Sequence, residues 1–302
     1  MTALVVLDGA ATRAALSASQ ATLAIRDALT AGLDPAADPP RRGVPVPGGE
    51  LLMMPSALPG AVGIKVLTVA ERGMPRIQGQ YLLFDGNTLA PKLILDGAAL
   101  TAVRTPAVSF APFLPRLAEL DSPVRLVIFG TGPQALAHHA TLRALLPPAT
   151  ELRVNYLSRT PPAEQADWLM VEGDQATEAV RAAQLIVCAT TARQPILDRD
   201  GLRSDVLVIA VGSHSSDARE LGSGLLADAT VVVEDPATAL RECGDVVLAV
   251  ADGSLDPADL IPMAEVVRGR LLDRTRPTVF KTSGMSWQDL VIAQAVAASL
   301  VG

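Results

Sequence analysis

The spacing of apolar residues changes near residue 122, and the change divides the chain into two predicted regions. In the first, residues 14–31 (AALSASQATLAIRDALTA) place apolar side chains at helical spacing and predict an early helix. Residues 34–50 (DPAADPPRRGVPVPGGE) are too rich in Pro and Gly for a helix and read as a loop carrying Arg41 and Arg42. The runs LLMMP, GIKVLTV, IQGQYLLFD and PKLILDG follow. Gly, Pro, Asn and Asp separate them, as in an antiparallel meander. Residues 100–120 read as helical, broken by three prolines.

Beyond residue 122, near-continuous apolar runs (VRLVIFG, LRVNYLS, LIVCAT, VLVIAVG, ATVVVED, TVFKTSG) alternate with helical segments such as PQALAHHATLRALL. Strands of that kind are buried on both faces, so a parallel sheet between helices is predicted. The fold class expected is α/β: a doubly wound parallel sheet plus a smaller α+β domain. The boundaries expected are 1–118 and 119–285, with a terminal helix over 286–302 returning to the first domain.

Composition supports this. A chain of 302 residues exceeds the usual single core, and 49% hydrophobic residues with only 3% aromatics imply an aliphatic interior. A net charge of -7 argues against nucleic acid, though not against a local basic pocket. The two cysteines, Cys188 and Cys243, form no metal-binding or disulfide pattern, and no bound metal is expected. The start lacks a basic segment ahead of its apolar stretch, and no run is long enough to span a membrane. A cytoplasmic protein without membrane contact is expected.

One turn carries specific chemistry. VRLVIFG leads into Gly130-Thr131-Gly132-Pro133-Gln134-Ala135, which opens a helix. This is G-x-G-x-x-A in the strand–turn–helix setting that dinucleotide binding needs. The first Gly allows the tight turn and the second lets backbone approach a pyrophosphate. The small Ala135 lets helix and strand pack, and the helix N-terminus attracts the phosphates. Gly222-Ser223-Gly224-Leu225-Leu226-Ala227 has the same spacing but follows no apolar strand, and reads as a loop before a helix. The second strand ends in Ser158-Arg159-Thr160, with no carboxylate for ribose hydroxyls. A cation between two hydroxyls suits the 2′-phosphate of NADPH, or else Arg159 is simply solvated; NADH stays open. Thr190, Val211 and Gly212 fall at strand ends, where the nicotinamide half is expected.

In the first region Arg41, Arg42, Lys65 and Arg104 lie in apolar or uncharged surroundings, with no carboxylate near Lys65 or Arg104 in sequence. Buried cations need an anion. Either a substrate carboxylate supplies it or a distant Asp or Glu makes a structural ion pair. Neutralisation by the protein's own carboxylates would count against a substrate role. His138 and His139 read as packing or surface residues. Asp289 could orient a site group or cap a helix.

Taken together, GIKVLTV, GQYLLFDGNTLAPKLILDGAALTAVRTPAVS, GTGPQA, VGSHSSDARELG, RECGDVVLA and TVFKTSGMSWQD resemble the ornithine cyclodeaminase/μ-crystallin family, over about residues 38–300. The resemblance implies a Rossmann domain, a nicotinamide cofactor, small α-amino or α-imino acid substrates and a substrate domain that dimerises through its strands. It matches the family's carboxylate-binding residues to Arg41 rather than Arg42, to Lys65, and to Arg104, followed by Thr105. Cyclodeaminases carry an aspartate where this chain has His214, so the likeness is to the ketimine-reductase branch, particularly 1-pyrroline-2-carboxylate reductases. The implied substrate is a cyclic imino acid whose carboxylate Arg41, Lys65 and Arg104 clamp. His214, Lys65 or water would protonate the ring nitrogen. An amino-acid dehydrogenase, a cyclodeaminase and a non-catalytic NADPH-binding protein are the other readings.

Overall fold

The structure, a computed structural model, describes residues 4–73, 75–161 and 167–300. The chain forms two compact units: Met1–Ala111 with Gly284–Gly302, and Pro112–Ser283.

The first unit begins with β1 (Val5–Leu7), α1 (Gly9–Ala14) and α2 (Ala18–Thr30). The helix expected over residues 14–31 is α2, starting at Ala18, with the short α1 just before it. Ser17 caps α2: its hydroxyl accepts from the Gln20 N–H while the Gln20 side chain accepts from the Ser17 N–H. The expected loop over 34–50 also needs correction. Arg42–Val46 is a strand, β2, paired antiparallel with β3 (Gly49–Leu58). It lies at the sheet edge, which tolerates Pro45.

β4 (Ala61–Ala70), β5 (Ile77–Asp85) and β6 (Pro91–Asp96) complete the meander, giving the order β1-β6-β5-β4-β3-β2. Met54, Lys65, Tyr81 and Leu95 are cross-strand neighbours on one face, and all are buried. Helices α3 (Gly97–Phe110) and the C-terminal helix (Ser286–Ser299) pack against this sheet, and α2 packs on both of them. On the opposite face Pro55, Ile64, Leu82 and Ile94 form an apolar row that is only half-buried, continued by exposed Val6. Helix α3 runs through Pro106, buried from Arg104 to Phe110, so tertiary packing overrides the break expected there.

The second unit holds α4 (Leu114–Ala118), β7 (Val124–Phe129), α5 (Pro133–Leu145), β8 (Leu152–Ser158), β9 (Trp168–Met170) and α6 (Asp174–Ala182). Then come β10 (Leu185–Cys188), β11 (Leu207–Ala210), α7 (Ser223–Asp228), β12 (Thr230–Val233), α8 (Pro236–Glu242) and α9 (Gly244–Ala251). β13 (Ile261–Pro262), α10 (Met263–Val267) and β14 (Thr278–Lys281) finish it.

All eight strands are parallel, in the order β13-β12-β14-β11-β10-β7-β8-β9. The order reverses between β7 and β10, the switch point of a Rossmann sheet, where ligands bind beyond the carboxyl ends of the strands. Val127, Ile186, Val208, Val231 and Val279 are fully or almost fully buried in its aliphatic core, as the lack of aromatics predicts.

Candidate active site

In the second unit, β7 ends at Phe129 and the chain turns through Gly130, whose φ is 104°. A Cβ there would stand 2.5 Å from the Ala189 carbonyl oxygen beyond β10, so both the turn and the neighbouring strand require glycine. Gly132 precedes α5 as its N-cap, with no side chain capping the helix and nothing within 4 Å of where a Cβ would be. Ala135 is fully buried. Backbone and open space at an uncapped helix N-terminus fit a pyrophosphate, and Gly130, Thr131, Gly132, Gln134 and Ala135 are the residues that could hold one.

The second G-x-G-x-x-A stretch is different. It starts α7 itself, and Asp198 Oδ1 accepts the Leu225 N–H at 2.8 Å. A carboxylate already occupies the place an anion would take.

At the end of β8, Ser158 accepts from Trp168 Nε1 at 2.8 Å and donates to the Thr160 carbonyl at 2.5 Å. Its hydroxyl is therefore committed within the protein, and Arg159 beside it is exposed. At the ends of β10 and β11, buried Glu220 accepts from the Thr190 N–H and hydroxyl, both at 2.8 Å, and from the Gly212 N–H at 2.7 Å. Burial raises the Glu220 carboxyl above its usual range, partly offset by Lys281 and the Thr190 hydrogen bonds. Thr190 and Gly212 thus lie just beyond strand ends, with their hydrogen bonds turned onto Glu220.

Behind them Lys281, wholly buried, donates to the Ser213 carbonyl at 2.7 Å and pairs with Asp245 at 3.0 Å. Asp245 Oδ1 also accepts the backbone N–H groups of Glu220 and Leu221. Burial favours the neutral amine, yet Asp245, Cys243 and Glu220 outweigh it and hold the Lys281 ammonium above its ordinary value. This network fixes the segment Val211–Leu221, on which exposed His214 stands. His138 is a buried packing residue: its Nδ1 lies 2.7 Å from the Gln134 carbonyl, and burial pushes its pKa down to about 4. His139 Nδ1 lies 2.7 Å from the Tyr156 hydroxyl.

In the first unit the cations converge. Lys65 is 1% exposed at mid-strand in β4, and Arg104 is 7% exposed on α3. Of the two partners left open, a distant carboxylate of the protein is present. Asp289, wholly buried in the C-terminal helix, accepts from Lys65 Nζ at 2.7 Å and places its other oxygen 3.6 Å from Arg104 Nε. The second distance is ion-pair range without a hydrogen bond. Two cations thus share one carboxylate, so they are balanced in part and a positive charge is left over.

Arg104 also donates to Gln288 Oε1 at 2.9 Å, and its guanidinium lies against Gly284, where φ is 85° and a Cβ would stand 2.6 Å away. Burial lowers Lys65 to about 8. Asp289 opposes this shift, while Arg104 and Arg41 add to it, so Arg41 belongs to the same electrostatic group. Thr105 Oγ1 and the Tyr81 hydroxyl are buried with no hydrogen-bond partner among the described residues.

Sequence reasoning missed Glu220, Lys281, Asp245 and Asp38. Asp38 accepts from the Ser56 hydroxyl at 2.7 Å and the Trp287 N–H at 2.9 Å. Burial raises it to about 6. Its clearest signal was position, three residues before Arg41. Among the described residues no cluster of His, Cys, Asp and Glu could hold a metal, and no helix is long and apolar enough to cross a membrane.

Comparison with known proteins agrees with the sequence likeness. Delta(1)-pyrroline-2-carboxylate reductase 1 of Burkholderia multivorans is 33% identical, covering 80% of this chain and 78% of that one. The ketimine reductase mu-crystallin of Mus musculus is 32% identical, covering 82% and 80%. The structure of Thermococcus litoralis Delta(1)-pyrroline-2-carboxylate reductase in complex with NADH and L-proline superposes with a TM-score of 0.85 at 24% identity. It covers 98% of this chain and 97% of that one. The family model for the ornithine cyclodeaminase/mu-crystallin family matches residues 6–302, and the chain is a member of that family.

Proposed function

We propose that this chain reduces a cyclic ketimine carboxylate with a nicotinamide hydride, making L-proline from 1-pyrroline-2-carboxylate and L-pipecolate from the six-membered analogue. The observation that carries the reading is the buried pair Lys65 and Arg104 sharing the single carboxylate of Asp289. A second carboxylate, brought by the substrate, is the natural partner of the surplus charge.

The second unit holds NADPH or NADH through Gly130–Ala135, with Arg159 and Thr160 toward the adenosine ribose and Thr190, Val211 and Gly212 toward the nicotinamide. The bound cofactor supplies the hydride. Arg41, Lys65 and Arg104 hold the substrate carboxylate, and Thr105 offers a free hydroxyl. Holding the imine carbon in one pose is the main contribution these residues make to rate. For the ring nitrogen's proton, Lys65 is the better supported donor. It is charged at neutral pH and, at about 8, acidic enough to release a proton. Exposed His214 is the other candidate.

A cyclodeaminase activity is the second reading. It is disfavoured because His214 replaces the carboxylate that the resemblance to cyclodeaminases calls for. The half-buried apolar face of the first sheet supports a homodimer formed through it. The function is tested by incubating the protein with each cofactor and a panel of cyclic imino acids. Nicotinamide absorbance should fall with 1-pyrroline-2-carboxylate. No loss with any imine, or ammonia release from ornithine, would overturn the reading.

A further inference from the structure

Three consecutive residues of the C-terminal helix each hold a different part of the cation group. The Trp287 N–H binds Asp38, Gln288 accepts from Arg104, and Asp289 accepts from Lys65 while facing Arg104 Nε. We propose that Asp289 is a positioning residue of the substrate site: its carboxylate fixes the Lys65 ammonium beside the Arg104 guanidinium and keeps Lys65 charged, without touching substrate. The proposal rests on the reading of these cations as the site of the substrate carboxylate.

The geometry supports it in two ways. Lys65 spends one N–H on Asp289 at 2.7 Å and a weak one on Thr101 at 3.4 Å, which leaves a third for a ligand in a direction set by the first two. Asp289 Oδ1 and Arg104 Nε are both buried without a hydrogen bond, so the carboxylate can draw closer to Arg104 as a ligand arrives. Charge supports it as well. The groups around Lys65 are Asp289 on the C-terminal helix, Arg104 on α3, Tyr81 across the sheet and Arg41 ahead of β2. Asp38 faces Asp289 and Tyr81. Burial brings Lys65 down to about 8, and Asp289 is the strongest influence opposing that fall. Without it, two buried cations would face each other, and the lysine would lose its proton first because Arg holds its own far more tightly.

The test uses pyrrole-2-carboxylate, a planar anion that stays ionised, as a competitive inhibitor of NADPH-dependent imine reduction from about pH 6 to 10. In the unsubstituted enzyme the inhibition constant should rise above about pH 8 as Lys65 deprotonates. Asp289→Asn should move that rise down by on the order of one pH unit and so weaken inhibition about fivefold at pH 8. Asp289→Glu should keep the rise where it was while lowering kcat, because its carboxylate is displaced by one methylene. A rise at the same pH in Asp289→Asn would overturn the proposal. If that variant does not fold, Lys65→Arg decides: the rise must vanish, and its persistence would assign it to another group. Loss of imine reduction in the unsubstituted enzyme would instead remove the underlying reading, so the two failures are distinct.

Discussion

Asp38 accepts the backbone N–H of Trp287 at 2.9 Å, so the loop leading to Arg41 is fastened to the first turn of the helix that carries Asp289. The two residues are 249 positions apart. It also caps that helix from outside, since Met285 at its N-cap supplies no side-chain bond.

Asp38 makes stability pH-dependent in a definite direction. Its folded-state value, about 6, lies above the 3.8 of an unfolded Asp, chiefly because of burial. The folded state therefore binds more protons between those values. The contribution is fully present below about 3.8 and is lost as pH rises through about 6. Asp38→Asn keeps an acceptor for Trp287 and should flatten the stability profile over this window by on the order of 1–2 kcal/mol, read by urea denaturation at several pH values. An unchanged slope would show that Asp38 is not the titrating group.

The two glycines of the phosphate turn should fail differently. Gly130→Ala forces a side chain into a positive-φ turn and against the Ala189 carbonyl, and should cost about 1–3 kcal/mol of stability. Gly132→Ala meets open space, so the fold should be unaffected. Its methyl group would stand where the pyrophosphate approaches, and NADPH affinity should fall about tenfold or more in fluorescence titrations. Equal affinity in Gly132→Ala would mean that the cofactor does not lie over this turn.

Breaking the Lys281–Asp245 pair should be expensive. Both side chains are wholly buried, and Asp245 also holds the Glu220 and Leu221 N–H groups. Lys281→Met leaves Asp245 uncompensated and should cost about 3–5 kcal/mol in chemical denaturation. A loss below about 1 kcal/mol would mean that water reaches the pair.

The open face of the first sheet should control assembly. Ile64 and Leu82 are cross-strand neighbours at its centre, both half-buried. Leu82→Asp should shift the protein from dimer to monomer in sedimentation while leaving NADPH binding intact. A monomeric unsubstituted protein would remove the interface.

The sequence made some of this legible and hid the rest for physical reasons. The parallel sheet and the turn at Gly130 could be read because apolar periodicity and G-x-G-x-x-A are local patterns. The convergence of Arg41, Lys65 and Arg104 was expected from family resemblance and from the lack of nearby carboxylates. Asp289 could be read equally as orienting a site group or capping a helix, because its pairing with Lys65 spans 224 positions. The start of α2 at Ala18 rather than Ala14 was hidden because helical spacing continues across a capping box. β2 was hidden because Pro and Gly in an edge strand look like a loop. Glu220 was quoted as part of a family motif, but its binding of two strand ends depends on how the sheet stacks β10 beside β11.

The central claim is that the cations of the first unit exist to hold a substrate's acid group. It is tested most directly by comparing L-proline with L-prolinamide as inhibitors of imine reduction, in the unsubstituted enzyme and in Arg104→Ala. L-Proline should inhibit competitively, and prolinamide, which lacks the carboxylate, at least about tenfold more weakly; Arg104→Ala should erase most of that difference. Equal inhibition by the two compounds in the unsubstituted enzyme would contradict the account.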